Sequence, residues 1–379
     1  MNILLFHFQY LSNNIYLQKI YIHKKNYIMK KTLLLIFLSS LFLFSSCNSD
    51  DDNPTSEPTI QEIQQDIENT FDGFVGCMQG YENGTFSNAI QNFFMISNGN
   101  MDSEYSEMLT DKLEEFNFDL ENFSMANHSG VYNWNSNMNS WSYVSNTSNE
   151  LIFNFPFSSS STSNNTTVVI NDYVSQGFNT GFETEYYPTK ILGSIEKDNN
   201  EIFNIDLNNV SYQNQGGEIL PVSFNLEIRT EPMTHLFNLT EISSNEFEFD
   251  YSSHNDNSCS TTFSIDASTT ISNFVFAEDI EDFANISGKI GHDNLEIRFN
   301  AQIDNLTGIE DPTVNQINQL IEANVYLGNT KVGELEFDDS NNEKVIYIVY
   351  NDGTRENVTN YINEELSNEL EAIFSNYID

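Results

Sequence analysis

The sequence predicts an α+β fold: N-terminal helices, then a large antiparallel β-sheet meander, then a C-terminal helix docked on the sheet. Three observations predict it. Apolar residues recur at helical spacing between residues 60 and 116, and the period changes to two at Gly130. Apolar–polar alternation then continues to Tyr350. A last helical stripe runs from Val358 to Tyr377, with acids on its other face.

The N-terminal part is predicted to contain three helices. Thr59 is a suitable N-cap for the first, and Glu62 three residues later completes a capping box. The apolar stripe of this helix consists of Ile60, Ile63, Ile67 and Phe71. A second helix is expected around residues 86–94 and a third over residues 102–116, each with its own apolar side.

The central part predicts half-buried strands with one dry and one wet face. These strands are 131–134, 141–143, 151–155, 167–170, 191–195, 201–207, 222–229, 246–251, 262–265, 287–290, 295–303, 324–327, 331–337 and 344–350. Asp311 and Pro312 predict the start of a helix between the strands. Gly193–Asn199 and Gly288–Asn294 look alike, either as a repeated hairpin or through turn chemistry alone.

The chain is strongly acidic. It has 14 Lys and Arg against 56 Asp and Glu, a formal charge of −42. Five of the lysines and none of the acids precede Cys47, so the part from Cys47 onwards carries a formal charge of −47. A surface this negative repels phosphate backbones, which excludes nucleic acid as a partner. Its 30 Phe and 18 Tyr favour a folded, Phe-rich core over disorder.

The stretch Met29–Asp52 predicts export and lipidation. Two lysines precede the apolar run 32–44, which is shorter than the roughly 20 residues of a membrane-spanning helix and fits an export signal. Ser45 and Ser46 supply the small residues that a signal peptidase needs next to its cut, and Cys47 follows. A thiol at this position can be alkylated by a lipid.

This stretch resembles the bacterial lipoprotein signal, in which the cysteine becomes the lipidated first residue. Ser49, Asp50, Asp51 and Asp52 look like the acidic export tag of surface lipoproteins in Bacteroidetes-type bacteria. The resemblance implies acyl chains such as palmitate on Cys47, and an outer-membrane protein that faces outward from the cell. An ordinary cleaved signal followed by a chance cysteine is the alternative.

The predicted organisation has four parts. Residues 1–28 are expected to be a wrongly assigned upstream extension, with translation starting at Met29, and residues 29–46 the signal peptide. Residues 47–58 form the lipid anchor and acidic tether. Residues 59–379 form the α+β domain, either as one unit or as two subdomains, 59–190 and 191–379.

Two cysteines remain beside the anchor. In an exported protein Cys77 and Cys259 can form a disulfide across a long loop, or they can be two small buried thiols. The sequence leaves both alternatives open.

Catalytic and metal motifs are weak. There is no G-x-S-x-G, H-E-x-x-H, P-loop or G-x-G-x-x-G after Cys47, and the four remaining histidines (His128, His235, His254 and His292) are scattered, mostly in predicted turns. No enzyme activity is therefore predicted. Asp338, Asp339 and Glu343 form a weak calcium candidate without EF-hand spacing, and a hairpin tip explains them without metal.

The aromatic residues of one predicted hairpin give the sharpest candidate site. If Trp134 pairs with Trp141 and Tyr132 with Tyr143, all four rings share one face. Such a platform could stack on sugar rings, and a cross-strand cluster covering the core is the alternative. The expected function is non-catalytic binding of carbohydrate or a surface partner at the cell surface. A carrier of an apolar ligand or lipid is the alternative, and an unrecognised hydrolase the third.

Overall fold

The computed structural model describes residues 59–70, 125–138, 140–156, 163–179, 184–215, 218–230, 232–255, 259–277, 282–306, 309, 312–340 and 343–361. Within these residues the chain is nearly all β, with 69% in strands and 14% helical. The α+β class predicted from the sequence is therefore wrong. The second and third predicted helices lie outside the described residues. None of the described helices is long and apolar enough to cross a membrane.

The strands form one long sheet. They are β1 (Gly130–Asn135), β2 (Ser140–Ser145), β3 (Leu151–Phe155), β4 (Thr166–Asn179), β5 (Thr184–Lys197), β6 (Asn200–Gln215), β7 (Glu218–Thr230), β8 (Met233–Ser243), β9 (Glu246–Asn255), β10 (Ser260–Thr269), β11 (Phe283–His292), β12 (Leu295–Gln302), β13 (Ile321–Leu327), β14 (Thr330–Ser340), β15 (Glu343–Tyr350) and β16 (Arg355–Asn357). From β3 to β16 neighbours in the chain are neighbours in the sheet, and β1 lies between β3 and the edge strand β2. The meander is confirmed, with one parallel pair, β1 with β3.

The sheet does not divide at the boundary considered for two subdomains. Strand β5 carries the chain through residues 190 and 191 without a break, so the parts before and after share one sheet. The predicted strands coincide with or lie almost wholly inside observed strands, and most of them were too short. Strands β8 and β16 were not predicted at all.

In the part of the chain that the structure describes, three α-helical segments accompany the sheet. They are α1 (residues 60–70), α2 (Met125–His128) and α3 (Val314–Leu320). The predicted capping box of α1 is confirmed, since the Thr59 N–H donates to Glu62 Oε2 at 2.7 Å and the Glu62 N–H to Thr59 Oγ1 at 3.3 Å. Helix α3 begins two residues later than predicted because Thr313 forms its capping box. The predicted C-terminal helix starts as a 3-10 turn at Val358–Asn360, and residues after 361 lie outside the described part.

From β6 to β13 one face of the sheet is largely apolar, because alternating residues stay in register from strand to strand. The central apolar row consists of Leu207, Leu226, Phe237, Tyr251, Phe263, Ile290, Ile297 and Val325. The adjacent residue of each strand points to the opposite face, which we call the polar face. Its central row consists of Asn208, Asn225, Asn238, Asp250, Ser264, Lys289, Arg298 and Asn324.

The core lies on the apolar face. Ile63 and Ile67 of α1 pack on strands β11–β15, in a cluster with residues such as Val325 and Tyr350. Gln64 of the same helix donates a hydrogen bond to Glu356 Oε2 at the end of the sheet. A second cluster, built around Trp134 and the neighbouring aromatic residues, lies on strands β1–β5.

The two similar Gly-to-Asn segments occupy equivalent hairpins. Each ends in a tight turn with positive φ, at Asp198 and Asn199 in one and at Asp293 in the other. Each glycine lies five residues before its turn, at a point where the backbone of the preceding strand passes closely. A Cβ on Gly288 would lie 2.0 Å from the Ser264 carbonyl oxygen.

We expect Gly288→Ala to destabilise the fold by at least about 2 kcal/mol, because the sheet backbone must move to admit the methyl group. Gly291→Ala, in the same strand, is the matched control. Its Cβ would meet the Thr262 hydroxyl, which can rotate away. Chemical denaturation of both variants gives the measurement. Equal stability of the two would contradict the close approach at Gly288.

Candidate functional site

The four hairpin aromatics pair as predicted but do not form an open platform. Trp134 lies opposite Trp141 and Tyr132 opposite Tyr143, with ring centroids 5.4 Å apart in both pairs. Three of the rings are buried, and Tyr143 alone of the four is exposed, at 51%. The structure thus favours the alternative, a cross-strand cluster that covers the core.

The neighbouring strand explains this burial. Phe153 of β3 stacks on Tyr132 at 5.4 Å and meets Trp141 edge-on at 5.3 Å. The Tyr132 hydroxyl donates to the His128 carbonyl at 3.2 Å, which ties α2 to the sheet. Rings covered in this way have no face left for a sugar.

Three of the histidines, His235, His254 and His292, lie in strands and His128 ends helix α2, so they do not lie mostly in turns; His235 and His292 face the core. Burial, followed by the charge of His254, lowers the pKa of His235 to about 4. Its Nδ1 lies 3.1 Å from the Tyr251 hydroxyl. Burial also lowers the pKa of His292, whose Nδ1 lies 2.8 Å from the Thr261 hydroxyl. Both rings are therefore neutral near pH 7 and serve as hydrogen-bonding core residues.

The three acidic residues proposed as a calcium site, Asp338, Asp339 and Glu343, are not brought together in one site. Asp338 and Asp339 are successive residues of β14, so their side chains point to opposite faces. Asp338 pairs with Arg355 at 3.1 Å, and Glu343 lies opposite Ser340 at the end of the hairpin. Among the described residues there is no group of three His, Cys, Asp or Glu that could hold a metal ion.

Of the predicted covalent sites, the structure describes Cys259. It is 3% exposed and disulfide-bonded, which favours the disulfide over two free thiols. Cys47, the export-tag residues Ser49, Asp50, Asp51 and Asp52, and Cys77 lie outside the described residues.

A depression on the polar face is the candidate binding site. It has a volume of about 430 Å³ and spans strands β6–β11. Its walls are formed by Asp206, Asn208, Asn225, Glu227, Leu236, Asn238, Asp250, Ser252, Thr262, Ser264 and Lys289. Leu226, Phe237, Tyr251 and Phe263 contribute to its floor, and their side chains belong to the apolar row on the other side.

The walls combine amide, hydroxyl and carboxylate groups. The Asn208 amide donates to Asp206 at 2.9 Å, and Lys289 lies 3.8 Å from Glu296. Three acids against one lysine make the depression net negative. Just beyond its rim, the charge of Asp250, followed by burial and then Asp266, raises the pKa of Glu248.

Some of the residues that line the depression were assigned to strands from the sequence, but the sequence did not predict that they lie together. Asn225 and Glu227 were predicted to lie on the wet face of their strand. Asn208 and Asn238 had no predicted strand to place them. Only the register of six strands brings these side chains together.

No protein-family model matches the chain, and neither does any curated protein or solved structure. What the protein can bind must therefore be read from its own residues.

We expect Trp141→Ala to destabilise the fold by about 3–5 kcal/mol, because it removes a buried ring from the cluster. Tyr143→Ala, at an exposed position of the same strand, should cost about 1 kcal/mol or less. Denaturant unfolding measures both. If Trp141→Ala unfolds at the wild-type denaturant concentration, the ring is not part of the core.

Proposed function

We propose that the protein is a lipid-anchored surface protein that binds a neutral carbohydrate, without catalysis, in the depression on its polar face. The observation that supports this most directly is the row of amide side chains in its wall, Asn208, Asn225 and Asn238, on three adjacent strands. Cys47 supplies the anchor to the outer membrane, and the acidic tag after it directs the protein to the cell surface.

Carbohydrates suit such a wall because their hydroxyl groups donate and accept hydrogen bonds together. An asparagine amide offers two donor hydrogens and one acceptor oxygen, so each can engage a pair of neighbouring hydroxyls. Neighbouring strands place the amides about 4.8 Å apart, which gives a ligand lying across the strands a repeated set of partners. A depression of about 430 Å³ is within the usual range for small-molecule sites.

The negative charge of the wall restricts the class of ligand that the depression can bind. Asp206, Glu227 and Asp250 outnumber the single Lys289 in the wall, and the whole protein is strongly acidic. A sulfated, phosphorylated or uronic-acid ligand would be repelled. Neutral sugars remain, and binding them needs hydrogen bonds rather than charge pairs.

Binding to an array of neutral oligosaccharides, followed by calorimetry on the best ligand, tests the site. The double variant Asn225→Ala/Asn238→Ala should raise Kd by roughly tenfold or more, because each lost hydrogen bond contributes about 0.5–1.5 kcal/mol. Asn300→Ala, an exposed residue of the same face that is not in the wall, is the matched control and should bind as wild type. Failure of every neutral oligosaccharide to bind, or equal affinity of both variants, would overturn the proposal.

The anchor is tested separately. On intact cells we expect protease to cleave the wild-type protein, and Cys47→Ser to be lost from the membrane fraction. The physical reason is that acyl chains hold the protein through about 0.8 kcal/mol per buried methylene group. Retention of Cys47→Ser on the membrane would contradict lipidation. A wild-type protein that is membrane-bound but protected would face the periplasm instead of the cell exterior.

A further inference from the structure

We infer that the ligand is an extended, unbranched β-1,4-linked oligosaccharide that lies across the strands, along the central row of the polar face, with about four to five sugar units between Asn208 and Ser264. This inference rests on carbohydrate binding in the depression, and it adds the shape, the direction and the length of the ligand.

The depression is elongated across the strands. It takes in six strands, β6–β11, but at most two polar-face residues of each strand, such as Asn225 and Glu227 of β7. With about 4.8 Å between strands and roughly 3.3 Å per residue within a strand, the depression is about three times as long as it is wide. A linear chain fits this outline, and a branched one does not.

The polar groups along the long axis are evenly spaced. Asn208 lies opposite Asn225, and Asn225 lies opposite Asn238. Asn238 lies opposite Asp250, which in turn lies opposite Ser264. The row therefore repeats about every 4.8 Å, and an extended β-1,4-linked chain advances by a similar distance with each sugar unit.

The twist of the sheet favours a chain of units over a rigid ligand. Adjacent strands are rotated by about 20–25° relative to one another, so a flat, fused ring system cannot follow the row. Sugar units joined by rotatable bonds can turn with the strands.

Two neighbouring amides in the middle of the row are open to a ligand. Asn225 and Asn238 are exposed, and their side chains have no hydrogen-bond partner among the described residues. Asn324, in the same row but outside the depression, instead donates its amide hydrogen to Glu322 at 2.9 Å. Inside the depression each free amide can therefore bind a pair of hydroxyl groups.

A second row runs beside the central row and supplies a different kind of contact. Leu236 lies in it, between Glu227 on one neighbouring strand and Ser252 on the other. The two rows are roughly 7 Å apart, because they are two residues apart along each strand. Leu236 is 39% exposed and lines the depression, so it can pack against the C–H groups of a sugar ring whose hydroxyls meet the amides.

Charged pairs border the row at both ends. On β11, Lys289 lies 3.8 Å from Glu296. On β5, Lys190 forms an ion pair with Asp172 at 2.7 Å, and it lies on the polar face because the next residue, Ile191, is paired with the apolar row. These lysines already have carboxylate partners, so sugar units beyond the row gain little.

Calorimetry with a length series tests the inference on the full chain. The probes are β-1,4-linked oligomers of glucose, of mannose and of xylose, each from the dimer to the hexamer. For one series we expect Kd to fall at least tenfold from the dimer to the pentamer and to change less than twofold from the pentamer to the hexamer. The α-1,4-linked glucose oligomers, which coil, are the control and should bind at least tenfold more weakly at the pentamer.

Two serines of the same face test the direction. Ser264→Ala, at the β10 end of the row, should raise Kd for the pentamer about three- to tenfold and leave the dimer within twofold. Ser223→Ala is the matched control, since Ser223 lies on β7 two residues before Asn225 and outside the depression. Asn208→Ala, at the other end of the row, is a second variant with the same expected effect as Ser264→Ala.

The opposite outcomes would overturn the inference in distinguishable ways. A Kd that does not depend on length would identify a site for a single sugar unit, and weakening by Ser223→Ala but not by Ser264→Ala would show a ligand lying along the strand. If another neutral oligosaccharide binds but no β-1,4-linked series does, the shape of the ligand is refuted and carbohydrate binding stands. If no neutral oligosaccharide binds at all, carbohydrate binding itself is refuted.

Discussion

The structure depends on one constraint: apolar and polar residues must alternate in register across a sheet that has a core on only one face. Slipping a single strand by one residue would move its apolar side chains into water and its polar side chains into the core. The rows through Phe237 and Asn238 show how strictly this is kept over many antiparallel pairs. Tight turns fix the register between strands, and glycines such as Gly288 allow neighbouring strands to approach.

The same constraint creates both faces of the sheet, the apolar face with the core and the polar face with the proposed ligand site. Because the apolar row takes every second residue, the polar row is free to carry any side chain that tolerates an extended backbone. Asparagine and serine fill it in the middle of the sheet, where the depression lies. Adjacent residues of the same strands therefore determine which side chains are buried on one face and which polar groups are presented on the other.

The positions of most strands and turns could be predicted from the sequence, and so could the pairing of Trp134 with Trp141. All of these follow from local alternation and turn composition. The fold class, in contrast, could not be predicted correctly from the sequence. Strand β8 was missed because His235 faces the core while Leu236 and Ile242 are 39% and 59% exposed, which blurs its alternation. Strand β6 was cut short at Leu207 because the asparagines after it are typical of loops. The residues that line the depression come together only through the register between strands, which no local sequence pattern contains.

The distribution of charge on the polar face bears on the proposal that a ligand binds in the depression. In one outer row Glu248 lies directly opposite Asp266, and like-charge pairs of this kind destabilise a sheet. The pKa of Glu248 is raised first by the charge of Asp250 in the central row, then by burial and by the charge of Asp266. The central row instead places Asn225 opposite Asn238, and it carries Asp250 and Lys289 two strands apart. A neutral, hydroxyl-rich ligand would lose little by approaching these amides. The acids Asp206, Glu227 and Asp250 lie in the same wall, so the proposed site favours a neutral ligand over an anionic one.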